Sequence, residues 1–242
     1  MHIYFRMRKF IPIFFILLSI IFSSCKQNKD NFLSARSSFV KIEIKQTVKA
    51  CSDGECFQAT YDIAGSGAVV KKGWMYDIVL TAGHLCDDGQ KKAKEIPEKL
   101  AKVTVVADLS VLDLNGNRHP AEIIKVDTST DMCLLRIATS AIPVLKISDS
   151  GPKIGARVHN FAAPAGIFND NMVPILDGRY SGKIKCGCCD AYTLPAAGGS
   201  SGSPIVNTKG ELVGMIHSVH KRFPTFAFSA SLDDIKDFIA EY

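Results

Sequence analysis

Beyond residue 38 the apolar positions fall in short runs, many alternating with polar ones and separated by turn residues. These runs are Phe39 to Val48, Phe57 to Val70, Met75 to Thr81, Val103 to Leu114, Ala121 to Val126, Cys133 to Ile137, Ile154 to Phe161, Gly178 to Ile184, Pro204 to Val206, Leu212 to Val219 and Thr225 to Ser229. Alternation with a period of two, bounded by Gly, Pro, Asn and Asp, predicts strands. Lys91 to Ala101 alone suggests a short surface helix before the end of the chain. The last segment, Ser231 to Tyr242, puts Ile235, Phe238 and Ile239 on one face, with Ser231 as an N-cap and Asp234 three residues on, which predicts a terminal amphipathic helix. Many short strands closed by one helix predict an all-β protein of the barrel or sandwich class.

The amino terminus follows another pattern. Arg6, Arg8 and Lys9 precede an apolar run from Phe10 to Phe22, interrupted by Pro12 and Ser19. A basic start and a short apolar stretch read as a secretory signal, and the run is too short for a membrane-spanning helix, which needs roughly 18 apolar residues. It ends in Ile-Phe-Ser-Ser-Cys25, which resembles the lipobox of bacterial lipoproteins and implies a lipidated Cys25 at the start of the mature chain, anchored to a membrane of the cell envelope. Lys26 to Ser38 is polar and aperiodic, as a flexible tether would be.

Composition is that of a globular chain: 242 residues, 47% hydrophobic, 22% charged. The formal charge is +5, but the first 24 residues hold three basic and no acidic side chains, so residues 25–242 carry only +2. That is too mild to indicate a nucleic-acid partner. Eight Cys in an exported chain indicate an oxidising compartment. Cys51 and Cys56 enclose a turn sequence and suit a disulfide-closed hairpin; Cys133, within an apolar strand, reads as a buried free thiol. Cys186, Cys188 and Cys189 leave four readings open: pairing with Cys86, pairing among themselves, binding a metal together with Cys51 and Cys56, or unpaired thiols.

Three separated segments carry candidate chemistry. Thr81-Ala-Gly-His84 ends an apolar strand, Thr130-Asp131 begins another, and Gly198-Gly-Ser-Ser-Gly-Ser-Pro204 is a glycine-rich turn leading into a third. Hydrolysis by a serine hydroxyl needs a base to take its proton, a carboxylate to hold that base in one tautomer, and backbone donors for the oxyanion. His, Asp and Ser in this order supply the first three groups, and glycines let successive N–H groups point into one concavity.

Together these segments resemble the trypsin-like serine peptidases of the chymotrypsin fold, whose signatures are TAAH or TAGH, D-[LIVM]-[AC]-L-L and G-x-S-G-[GS]-P. The resemblance implies His84, Asp131 and Ser201 as the catalytic triad, with the N–H groups of Gly199 and Ser201 as the oxyanion hole. Ser200 stands where animal digestive members have Asp, so activation by a new amino terminus is not implied. The bacterial HtrA/Deg-type branch fits better, because Gly65-Ser-Gly67, Lys153 to Gly166 and Gly210 to His217 resemble its remaining segments.

The family fold is a double six-stranded β-barrel with the site in the cleft between barrels. On this chain it implies a signal over 1–24, a tether over 25–38 and a peptidase domain over 39–242, with barrels at 39–138 and 144–230, a helix at 231–242 and no PDZ module. Pro195 would lie at the base of the pocket for the residue before the scissile bond (P1), and His217, Ser218 and Val219 on the substrate-pairing edge. With no acid at position 195, the expectation is a serine endopeptidase cleaving polypeptides after small or aliphatic residues, without metal or cofactor. Two other classes compete: an inactive binding module on the same fold, and a metal-binding envelope protein built on the Cys cluster.

Overall fold

The computed structural model describes residues 31–52, 54–87, 102–184 and 189–242. Twelve strands dominate it: β1 (Phe39–Ser52), β2 (Glu55–Lys72), β3 (Asp77–Ala82), β4 (Lys102–Leu112), β5 (Arg118–Asp127), β6 (Met132–Ile137), β7 (Arg157–Phe161), β8 (Ile175–Lys183), β9 (Asp190–Tyr192), β10 (Pro204–Asn207), β11 (Leu212–His220) and β12 (Phe223–Ala230). They close into two six-stranded antiparallel barrels, ordered β1-β2-β3-β6-β5-β4 and β10-β11-β12-β9-β8-β7. One helix follows, α1 (Leu232–Ala240).

Burial follows the sequence pattern. β3 and β6 are buried at nearly every position and pair with each other from Asp77↔Ile137 to Ala82↔Met132, so they read as unbroken apolar runs. β1 alternates buried and half-buried positions from Phe39 to Ile44. α1 starts where Ser231 caps it by accepting from the Asp234 N–H, and it buries Ile235, Phe238 and Ile239.

Each barrel has its own apolar centre, and a third cluster joins them. Phe39, Leu80 and Met132 of the first barrel meet Phe161, Val206 and Met215 of the second, and Leu145 and the buried face of α1 close the seam. Burying one such side chain stabilises by roughly 1.5–3 kcal/mol, so this seam fixes how the two barrels face each other. That matters for the candidate site, because His84 and Asp131 come from the first barrel and Ser201 from the second.

Several expectations need correction. Cys133 is not a free thiol: it forms a disulfide with Cys86, which also removes Cys86 as a partner for the Cys186 cluster. Cys51 and Cys56 do join at the tip of the β1–β2 hairpin, where they face each other in register, so neither is a metal thiolate. The expected tether is folded from residue 31 on. Asn31–Ser38 forms a 3-10 helix, the Phe32 ring stacks on His159 at 3.7 Å, and Arg36 donates to the Asn171 carbonyl. β9 lies outside every apolar run read from the sequence. The signal, Cys25, the helix over Lys91 to Ala101, and Cys186 and Cys188 lie outside the described residues.

Candidate active site

β3 ends in a one-turn 3-10 helix, Gly83–Cys86, that carries His84. Asp131 sits just before β6, at the end of a turn organised by Asp127, whose carboxylate accepts from the Ser129 N–H and from the Ser129 and Thr130 hydroxyls. Those bonds hold the Asp127 carboxyl down at about 2. The turn leaves Asp131 at φ +53°, a left-handed conformation that Asp tolerates better than most residues.

His84 Nδ1 lies 2.8 Å from Asp131 Oδ2, and the His84 backbone N–H donates to Asp131 Oδ1 at 2.7 Å. The Gly83 N–H donates to the Asp131 carbonyl at 2.8 Å. A Cβ on Gly83 would come within 2.9 Å of the Asp131 backbone, so only glycine permits this approach. Burial raises the Asp131 carboxyl, but the bonds from His84 outweigh it and the net shift is downward. The pair is therefore an imidazole oriented by an ionised carboxylate, with about half of the imidazole side chain exposed.

Ser201 belongs to the turn Gly198–Ser203 that leads into β10. Its carbonyl accepts from the Ser66 N–H of β2 at 2.8 Å. The next residue, Gly202 (φ +84°), is packed so closely that a Cβ would meet the Ser66 carbonyl, the Thr81 hydroxyl and the Ala82 N–H. The Ser201–Gly202 peptide thus rests against the end of β3, where the His84 turn begins.

The backbone around Gly199 is pinned from two sides. The Gly198 carbonyl accepts from the Ala165 N–H at 2.5 Å, and the Gly199 carbonyl accepts from the Ser66 hydroxyl at 2.8 Å. In a trans peptide the N–H points opposite to the preceding carbonyl, so the Gly199 N–H is turned away from Ala165. Among the described residues no group accepts from the N–H of Gly199 or of Ser201. Two unspent donors beside one serine hydroxyl are what a developing oxyanion needs.

Ser66 was not foreseen as a site residue. It is fully buried; its hydroxyl bridges the Ala163 N–H and the Gly199 carbonyl, and its carbonyl accepts from the Thr81 hydroxyl. One small residue ties the serine turn to the 163–166 turn and to the His84 strand. The Gly65-Ser-Gly67 motif is the only sequence signal for it.

The remaining expected site residues lie on β11 and before the turn. Past Ile216, whose carbonyl accepts from the Gly202 N–H, β11 is paired only with β12, through Ser218↔Phe228 and Val219↔Ala227. Its other edge is free of a strand among the described residues. The pairing skips a residue at His217. Burial lowers the His217 imidazole, the Asp131 charge raises it and His84 lowers it further, for a net downward shift. Pro195 is exposed beside buried Leu194 and Ala196, and the Ala196 N–H bonds the Pro224 carbonyl at the start of β12. Asp190 is buried and accepts from the Tyr180 hydroxyl at 3.0 Å. Burial raises the Asp190 carboxyl, and burial together with Asp190 raises the Tyr180 phenol to about 12. No cluster of three or more His, Cys, Asp or Glu suited to a metal occurs among the described residues.

Comparison with known proteins agrees with this fold. The family model of the trypsin-like peptidase domain matches residues 65–215. The chain is 26% identical over 226 residues to the mitochondrial serine protease HTRA2 of Drosophila pseudoobscura pseudoobscura, covering 88% of this chain and 48% of the relative. It is 28% identical over 130 residues to a probable periplasmic serine endoprotease, DegP-like, of Halomonas elongata, covering 50% of this chain and 27% of the relative. The chain thus spans about half, or less, of these relatives' length. Among solved structures, the serine endoprotease of Yersinia pestis superposes with a TM-score of 0.64 at 20% identity, over 88% of this chain and 65% of that one. A protease from M. tuberculosis in its active form gives 0.60 at 16%, over 86% and 82%. These two share the fold. From the match over residues 65–215, the chain belongs to the trypsin-like peptidase family.

Proposed function

We propose that this chain is a serine endopeptidase in which Ser201 attacks the scissile carbonyl, His84 takes and returns the proton, and Asp131 holds the imidazole in the tautomer that carries hydrogen on Nδ1. The observation that carries this reading is the pair of bonds from His84 to Asp131, at Nδ1 and at the backbone N–H. They fix tautomer and ring direction together, which is the task of the carboxylate in this chemistry. The N–H groups of Gly199 and Ser201 serve as the oxyanion hole, supported by their lack of acceptors among the described residues.

Substrate binds as an added strand on the free edge of β11 at His217, Ser218 and Val219, whose backbone groups past Ile216 face no other strand on that side among the described residues. The P1 side chain enters beside Pro195. Asp190, the nearest acid in sequence, is buried and held by Tyr180, so a cationic P1 would be desolvated without a partner. An apolar P1 needs only shape and gains roughly 25 cal/mol per Å² buried. Val, Ala, Leu or Met at P1 is the preference we infer. The name of the Halomonas elongata relative, a probable periplasmic endoprotease, supports export, and the amino-terminal pattern supports a lipid anchor, with Cys25 as the lipidated residue.

The test is kcat/KM for matched peptides with Leu, Val or Arg at P1, run on the wild type and on Ser201→Ala. The reading predicts Leu or Val over Arg and no turnover by Ser201→Ala. Turnover by that variant refutes the nucleophile, and an Arg preference refutes the pocket.

A further inference from the structure

We propose that the Cys86–Cys133 disulfide positions the His84–Asp131 pair, so that peptide hydrolysis by this chain depends on the oxidation of these two cysteines; the proposal rests on the triad reading above. Cys86 closes the 3-10 turn two residues after His84, and Cys133 lies on β6 two residues after Asp131. The two members of the pair therefore sit at equivalent distances along the chain from one covalent bond. The His84–Asp131 bonds close the same ring from the other side.

Three features make this bond more than a generic staple. On its N-terminal side the His84 turn is continuous with β3, which pairs with β6 as far as Ala82↔Met132. On its C-terminal side the disulfide is the covalent tie to that sheet. Asp131 holds a left-handed backbone, and such a conformation persists only where its surroundings over-determine it. Both cysteines are buried, with Cys133 fully so, and Cys133 pairs across with Thr81, whose hydroxyl anchors Ser66. Loss of the bond would free the end of the turn that sets the imidazole against the carboxylate, and small misplacements of a catalytic base are costly.

Formation of the bond is a thiol–disulfide exchange with an oxidant of the protein-disulfide class. One cysteine thiolate attacks the carrier disulfide, the second displaces the carrier from the mixed disulfide, and the two electrons and two protons leave on the carrier's two thiols. The reverse exchange with a dithiol restores the reduced form. The consequence is an enzyme that is weak where thiols stay reduced and competent where disulfides form.

The other disulfide among the described residues, Cys51–Cys56 at the hairpin tip, is the internal control, since reductants act on it as well. The experiment measures kcat and KM with the full chain as wild type, Cys86→Ala/Cys133→Ala and Cys51→Ala/Cys56→Ala, with folding checked by near-ultraviolet circular dichroism. Loss of Cys86–Cys133 is expected to lower kcat at least about tenfold with KM changed less than about twofold, and loss of Cys51–Cys56 to leave both unchanged. A folded Cys86→Ala/Cys133→Ala protein with wild-type kcat overturns the proposal. If that variant does not fold, wild type is poised at graded dithiothreitol ratios and the bond is quantified by alkylation and mass spectrometry. Activity should fall with the bond while the dichroism signal persists; activity that survives until the fold collapses overturns the proposal. Labelling of oxidised wild type by a fluorophosphonate separates the two claims: without a Ser201 adduct both fail, whereas an adduct with redox-insensitive kcat refutes the clamp alone.

Discussion

Replacing Ser66 with Ala removes one oxygen and strands two partners. The hydroxyl donates to the Gly199 carbonyl at 2.8 Å and accepts from the Ala163 N–H at 3.0 Å, and no part of Ser66 is exposed. Each buried group left unsatisfied costs about 1–3 kcal/mol, so Ser66→Ala should destabilise by about 2–4 kcal/mol after relaxation. The effect on turnover is separable. Without its anchor, the Gly199–Ser200 peptide keeps only the bond from the Ser200 N–H to the Ala197 carbonyl, and the adjoining Gly198–Gly199 peptide, still held by the Ala165 N–H, presents the Gly199 N–H less firmly to the oxyanion. Deleting an oxyanion donor costs about 10²–10³ in kcat, and loosening one should cost part of that, about 10- to 100-fold. Urea unfolding gives the stability loss, and peptide hydrolysis well below the unfolding transition gives kcat and KM. A variant destabilised as expected but with unchanged kcat would show that Ser66 supports the fold and not the oxyanion site, and would refute this reasoning.

Gly83→Ala places a methyl 2.9 Å from the Asp131 backbone, and the displaced turn should lower kcat about 100-fold with little change in KM, as stopped assays at saturating and limiting substrate would show. Ser231→Ala removes the cap on α1, where the hydroxyl accepts from the Asp234 N–H at 3.2 Å; it should cost about 1 kcal/mol by denaturant melts and leave kcat unchanged. His217, held below its ordinary value of 6.5 by burial, with the Asp131 charge opposing the shift and His84 adding to it, takes up a proton more readily in the unfolded chain. Stability should therefore fall as pH drops below 6.5, by at most about 1.4 kcal/mol per pH unit from this group, and His217→Asn should flatten that slope in urea melts at stepped pH. Asp131 acts lower on the scale: its depressed carboxyl contributes stability above its ordinary 3.8 that is lost as pH falls through the folded value.

Most of the barrels was legible because alternation follows burial directly, and the β1–β2 disulfide because a short turn sequence separates its cysteines. What stayed hidden depends on contacts between residues far apart in the chain. Cys86 and Cys133 are 47 residues apart and meet only because β3 and β6 pair. Ser66 reaches a carbonyl 133 residues away, and the Gly65-Ser-Gly67 motif marks its strand without indicating what the hydroxyl holds. β9 was missed because Asp190-Ala-Tyr192 is short and carries a buried acid, whose partner Tyr180 lies on another strand. Phe32 was read within a polar tether because one aromatic among polar residues gives no period, although its ring has a docking place on His159.

The central claim is that Ser201 is the nucleophile, activated by His84 and Asp131. A fluorophosphonate probe tests it most directly, with the adduct located by peptide mass spectrometry in wild type, His84→Ala and Asp131→Asn. The account predicts one adduct, on Ser201, with labelling strongly slowed in both variants. An adduct on Ser200 or Ser203, or labelling of Ser201 at the wild-type rate without His84, would contradict it.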